Sequence, residues 1–139
     1  MLSDSILSFD GYTVKKLYYE PTEFNNTENL QYKPEFSNRV EGKKNGEIEV
    51  ELGVRINENK EPSFPFSLAV SLVGRFRLDT KSDDTEFLKT IATKNTVSIL
   101  FPYLRAIVTQ LTSAANVPPL ILPIVNLADN LHSTPQVDE

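Results

Sequence analysis

Apolar and polar positions alternate without a break along "EIEVELGVRI", residues 47–56. Ile48, Val50, Leu52, Val54 and Ile56 fall on one side, and Glu47, Glu49, Glu51, Gly53 and Arg55 on the other. A period of two predicts a strand with one face buried and one wet. The next apolar run, "FPFSLAVSLVGRFRLD", puts Phe66, Leu68, Val70, Leu72, Phe76 and Leu78 on one face. Its other face carries Ala69, Ser71 and Val73 before Arg75 and Arg77, so its first half reads as covered on both sides. Upstream, "YTVKKLYYE" (Tyr12–Glu20) is rich in β-branched and aromatic residues and is closed by Pro21. After the polar connection "TEFNNTENLQ", "YKPEFSNRVEGK" reads as a weaker second strand. Asn45-Gly46 behind it is a strong hairpin signal.

The period then changes. Asp83 with Glu86 three residues on fits a capping box opening a helix at "DTEFLKTIATK". A longer helix follows, with Leu100, Leu104, Ile107, Val108 and Leu111 on one stripe. Pro102 donates no backbone bond, which places it in that helix's first turn or at a kink. "PPLILPIVNL" (Pro118–Leu127) cannot be regular helix, and its prolines make it a poor central strand, so it is an extended apolar arm. The tail, "ADNLHSTPQVDE", allows at most two turns of helix before Pro135. The expected class is α+β: a four-stranded antiparallel sheet packed with a long helix, an extended proline-rich arm and a short C-terminal helix. The expected organisation is one domain over residues 1–131 and a loose tail over 132–139.

Composition narrows the function. The 139 residues hold 40% hydrophobic and 24% charged positions, within the range of a single globular domain. A net charge of −5 and a pI near 4.9 argue against a general nucleic-acid binder, which would show a basic face. The chain has no cysteine, which excludes disulfides, Cys-based zinc sites and thiol catalysis. "MLSDSILSFDGY" does not read as a signal peptide, and no apolar run approaches the roughly 20 residues of a membrane span. The expected location is the cytoplasm, without membrane insertion. The Asn25-Asn26-Thr27 sequon is read as a polar loop.

Candidate chemistry is sparse. The single histidine, His132, sits in the tail, where partners are not held at fixed geometry. Gly11, Gly42, Gly46, Gly53 and Gly74 never approach a phosphate-cradling spacing. Glu47, Glu49 and Glu51 read as a solvated strand face, and Asp83, Asp84 and Glu86 as a capping cluster. Lys43-Lys44 reads as a solubilising hairpin tip. No metal, cofactor or catalytic residue is expected. More aromatic residues gather around the first connection than one core stripe needs: Tyr18, Tyr19, Phe24, Tyr32 and Phe36. Some of them can line a groove for apolar side chains of another chain.

"ILFPYLR" (Ile99–Arg105), leading a helix that ends just before "VPPLILPIVNL", resembles the SecB family of bacterial export chaperones. That family carries an I-L-F-P-Y-x-R helix start and a P-x-L-x-L-x-P-V-N-F arm. "YKPEF" (Tyr32–Phe36) is similar to its W-x-P-E-V stretch, and "KKLYYEPTEF" to its first strand, over roughly residues 9–131. Asn126 of the arm is retained, whereas Pro123 is displaced from the family's position. The acidic sheet positions with which the family docks the SecA motor are replaced, with Pro21, Asn25 and Ala69 falling near them.

The resemblance implies an ATP-independent holdase that keeps unfolded or preprotein chains competent for export or folding. Its implied partners are unfolded polypeptides, with SecA or an antitoxin as more specific ones. The client groove is expected at Phe24, Leu30, Tyr32, Phe36, Leu120, Ile121 and Leu122. The resemblance also implies a homotetramer, a dimer of dimers. Its interface is expected at Leu68, Val70 and Leu72 of the fourth strand and at Leu104, Val108 and Leu111 of the long helix. The rival readings are a chaperone dedicated to one antitoxin without SecA docking, a small-ligand carrier or enzyme, and a purely structural oligomer.

Overall fold

Every neighbouring pair of strands is antiparallel in the computed structural model, which describes residues 6–23, 32–79 and 85–123. The strands are β1 (Ile6–Pro21), β2 (Glu35–Gly42), β3 (Glu47–Ile56) and β4 (Phe66–Asp79), in the sheet order β1-β4-β3-β2. A short helix α1 (Thr85–Thr90), a π-helical turn (Ile91–Asn95) and the long helix α2 (Thr96–Ala114) follow. The fold is the expected α+β sheet with one long helix. The expected capping residues Asp83 and Asp84, the short C-terminal helix, the tail with His132 and the sequon at Asn25 lie outside the described residues.

The alternation read from "EIEVELGVRI" is the alternation the sheet uses. Val50, Leu52, Val54 and Ile56 are at most 1% exposed, while Glu47 and Arg55 face solvent. β1 runs six residues further upstream than its pattern suggests, because Gly11 hides the continuation. Its φ of 107° takes up the register slip between Phe9 and Tyr12, beyond which Leu7 and Phe9 pair with Leu78 and Phe76. β2 starts three residues later than expected, just after Pro34, which has no N–H for a ladder.

The β2–β3 hairpin turns on Asn45 (φ 63°) and Gly46 (φ 77°), both in the left-handed region that an Asn-Gly turn requires. A Cβ on Gly46 would collide with the backbone carbonyl oxygen of Leu78 in β4. Gly46→Ala therefore combines backbone strain with a clash that no rotamer relieves. Its expected cost is about 1–3 kcal/mol, read as a lower urea midpoint at unchanged slope.

The two predicted helices are one nearly continuous rod, and the seam between them is the π turn. Hydroxyls of Thr90, Thr93, Thr96 and Ser98 donate to the carbonyls four residues back, those of Glu86, Lys89, Ala92 and Lys94, at 2.7–3.0 Å. Such back-bonding competes with the helical ladder and accompanies its local irregularity. Because the helix extends back through this seam, Pro102 lies in the second turn of α2, not the first. Val97, Leu100, Leu104 and Val108 of α2 are 0–2% exposed and close the core against β3 and β4. A left-handed Asn116 (φ 65°) ends the helix and releases the arm.

Candidate functional site

The arm begins as a strap fixed to α2 by hydroxyl and guanidinium groups. The Leu120 N–H donates to Thr112 Oγ1 at 2.9 Å, and Thr109 Oγ1 donates to the Leu120 carbonyl at 2.8 Å. Arg105 Nε donates to the Leu122 carbonyl at 2.9 Å. Thr112 is completely buried and donates in turn to the Val108 carbonyl at 3.0 Å, so both ends of its hydroxyl are used. Thr112, Thr109 and Arg105 lie at i, i−3 and i−7 on one side of α2, and the arm runs antiparallel past them.

Extended backbone alternates its side chains, and the strap does so here. Leu122 is 0% exposed and belongs to the core, Leu120 is half-buried, and Ile121 points out at 65% exposure. Ile121 is the most exposed large apolar side chain among the described residues. Proline at 118, 119 and 123 keeps the segment from forming a ladder, so its apolar side chains are presented without a sheet edge.

On the same side of α2, Phe101 meets Phe36 of β2 edge-on at 5.8 Å between ring centroids. An aromatic series continues along that end of the sheet: Tyr32 on Phe64 (5.7 Å), Phe64 on Phe66 (4.9 Å), and Phe66 on Tyr19 of β1 (5.3 Å). Beside Tyr32 and Phe64 opens a cavity of about 300 Å³, also lined by Lys33, Glu35, Asn57 and Glu61. Partial burial raises the Tyr32 phenol above the ordinary tyrosine range.

Of the residues expected in a groove, Tyr32, Leu120 and Ile121 keep accessible surface. Phe36 (5% exposed) and Leu122 (0%) serve instead as core beneath it. Phe24 and Leu30 lie outside the described residues. The residues expected at a subunit interface pack into the core of the single chain. Leu68, Val70, Leu72, Leu104 and Val108 are 0–1% exposed within the single chain, and Leu111 is half-buried against the same core. β4 is an inner strand between β1 and β3, and its even-numbered face packs in one core with Leu100, Leu104 and Val108 of α2.

Further apolar surface is left open on β1 and on a second face of α2. Val14 (38% exposed) and Leu17 (56%) sit on the helix-facing side of β1, opposite Leu72 and Val70 in the register. Next to them Tyr103 of α2, 39% exposed, stacks on Phe9 and Tyr12 at 5.5 and 5.0 Å. Ile99 and Ile107 flank Tyr103 at i−4 and i+4 and are half-buried. Ile99 and Tyr103 are legible in the sequence as apolar residues off the main stripe of α2, more than a single chain of this size covers, whereas Val14 and Leu17 are not.

The opposite face of the sheet is charged and paired within the chain. Glu51 accepts from Lys15 at 2.9 Å and Arg39 at 3.4 Å, Glu41 pairs with Lys43 at 3.0 Å, and Glu47 with Arg77 at 3.7 Å. Lys60 bonds Glu20 at 2.6 Å near the Tyr18 ring. That hydrogen bond lowers the Glu20 carboxyl and raises the Lys60 ammonium relative to their ordinary values. These pairs are solvent-exposed and contribute little to stability. No helix among the described residues is long and apolar enough to cross a membrane.

Comparison with known proteins places this arrangement. A family model described as preprotein translocase subunit SecB matches residues 8–136. An uncharacterized protein of Methanocaldococcus jannaschii, MJ0357, is 28% identical over 137 residues, covering 96% of this chain and 87% of that protein. Among solved structures, the Mycobacterium tuberculosis SecB-like chaperone Rv1957, in complex with a ChAD peptide from the Rv1956 HigA1 antitoxin, superposes with a TM-score of 0.69. It is 20% identical, with 86% of this chain and 90% of that chain covered. A Streptococcus agalactiae protein of unknown function shares the fold at a TM-score of 0.52 and 8% identity, over 86% of this chain and 98% of that chain.

Proposed function

The chain belongs to the SecB family of chaperones, and we propose that it acts as an ATP-independent holdase whose client contact is the strap of α2. The observation that carries this reading is Ile121: a large apolar side chain held in solvent by hydrogen bonds on either side of it. A flexible loop would collapse such a residue onto the protein; this one is kept available. An unfolded segment covering it and the half-buried Leu120 and Tyr32 gains about 25 cal/mol per Å² of apolar surface, less ordering costs. Burial is non-directional, so one surface of this kind accepts many sequences.

In this reading the working protein is a cytoplasmic, non-enzymatic homo-oligomer, a tetramer built as a dimer of dimers. Its subunits meet through the apolar surface a single chain leaves open at Val14, Leu17 and Tyr103. Several weak client surfaces on one particle then raise affinity through effective concentration. SecA docking is not part of the proposal, because non-acidic residues, Pro21, Asn25 and Ala69, fall near the positions where the family carries its acidic docking groups. A second reading, service to a single antitoxin, is favoured by the fold shared with a SecB-like chaperone that was solved with an antitoxin peptide.

The test is light scattering as a denatured model protein is diluted into buffer with increasing amounts of this chain, without ATP. Suppression that saturates near one oligomer per client supports the general holdase. Absence of suppression by folded, oligomeric protein moves the assignment to the dedicated chaperone. The double substitution Leu120→Ala/Ile121→Ala should weaken client binding by about tenfold, roughly the 1.4 kcal/mol lost with two truncated contacts. Unchanged affinity in a binding titration removes the strap from the client site.

A further inference from the structure

One polar group stands where the pattern of β2 calls for an apolar one. Phe36, Asn38 and Val40 share the helix-facing side of this strand, and Phe36 and Val40 are 5% and 1% exposed. Asn38 between them is 9% exposed, and its side-chain oxygen Oδ1 is buried without a hydrogen-bond partner. Its register partner is Leu52, which is fully buried and offers no side-chain polar atom. Leaving such a carbonyl unpaired is a cost that an apolar side chain of the same size would avoid. Asn38 is the buried side-chain polar atom left unsatisfied among the described residues.

β2 is an edge strand of the sheet, and Phe36, two residues before Asn38, is the residue that meets Phe101 beside the strap. Asn38 lies one pleat from Phe36 on the same face of this edge strand, on the side of the sheet not closed by a further strand among the described residues. We propose that its carboxamide binds the main chain of a bound, extended client segment. The inference rests on the holdase reading given above. An amide side chain carries an acceptor and two donors, so it can pair with the N–H or the C=O of any peptide unit. Apolar burial alone recognises side chains and lets a client slide. A hydrogen bond to main chain adds a term that requires only that the client be unfolded, since a folded chain has its peptide groups already paired. The unpaired oxygen of the free protein then finds its partner on binding.

The experiment uses the full-length oligomer and a permanently unfolded probe, reduced and carboxamidomethylated α-lactalbumin. Asn38→Leu, Asn38→Ala and Ile121→Ala are compared for probe affinity and for urea stability. The expected result is that Asn38→Leu raises the urea midpoint while weakening probe affinity about fivefold, the net worth of one hydrogen bond near 1 kcal/mol. Asn38→Ala should weaken affinity to a similar degree. If both Asn38 variants bind as well as wild type while Ile121→Ala does not, the Asn38 role is overturned and the client surface stands. If Ile121→Ala also binds normally, the client surface itself is lost. Tighter binding by Asn38→Leu would make the position ordinary apolar lining. A lowered urea midpoint for Asn38→Leu would show that the amide is satisfied within the chain, and would equally overturn the proposal.

Discussion

Leu100→Ala should destabilise the protein by about 2–5 kcal/mol. Leu100 is 0% exposed and packs directly over Gly74 of β4. A Cβ added to Gly74 of β4 would lie 2.6–3.0 Å from the three outer carbons of its side chain. Gly74 is therefore a socket, and the helix reaches its depth because that position has no side chain. Gly74→Ala forces Leu100 or the helix outward and should cost about 1–3 kcal/mol. The pair is coupled: the added methyl occupies part of the space that Leu100→Ala vacates. The double variant should then be more stable than the sum of the single effects by about 1 kcal/mol or more. Urea unfolding of the four proteins at one fixed concentration measures this directly. Simple additivity would mean that α2 is held elsewhere, and that the close approach at Gly74 is incidental.

Gly74 also marks where the sequence could and could not be read. The strands and the long helix were legible because period-two and period-3.6 patterns report which side of an element is wet. β3 shows this from Ile48 to Ile56, interrupted at Gly53, which is buried on the outer face. What the patterns do not carry is adjacency. Leu68, Val70 and Leu72 look like surplus apolar surface until β4 is seen between β1 and β3, where the same residues are simply the centre of the core. The true surplus was harder to see, because Val14 and Leu17 sit in a strand whose alternation is broken by Lys15 and Lys16. The register shift between Val14 and Lys16 puts the Lys15 ammonium on the outer face, bonded to Glu51, while Val14 and Leu17 both stay on the helix side. The strap was legible from its prolines and leucines, although which of Leu120, Ile121 and Leu122 faces out depends on hydrogen bonds from Thr109, Thr112 and Arg105.

If the subunits meet through β1 as proposed, Val14→Glu/Leu17→Glu should convert the oligomer to a smaller species while leaving the protomer folded. Both side chains are substantially exposed in the single chain, so the substitution deletes little intramolecular packing. In an apolar interface, the same two positions would have to bury carboxylates. Removing a carboxylate from water without a partner costs several kcal/mol, and in a symmetric contact each substitution counts at least twice. Sedimentation velocity at micromolar concentration should show the loss of the largest species, with near-unchanged far-ultraviolet dichroism. Client binding should fall with it even though Ile121 is untouched, because the particle loses its multiple strap surfaces and the effective concentration they create. A variant that still sediments like wild type would move the subunit contact off β1. One that dissociates yet holds its client at full affinity would show that a single strap suffices, and that multivalent wrapping is not how this chaperone works.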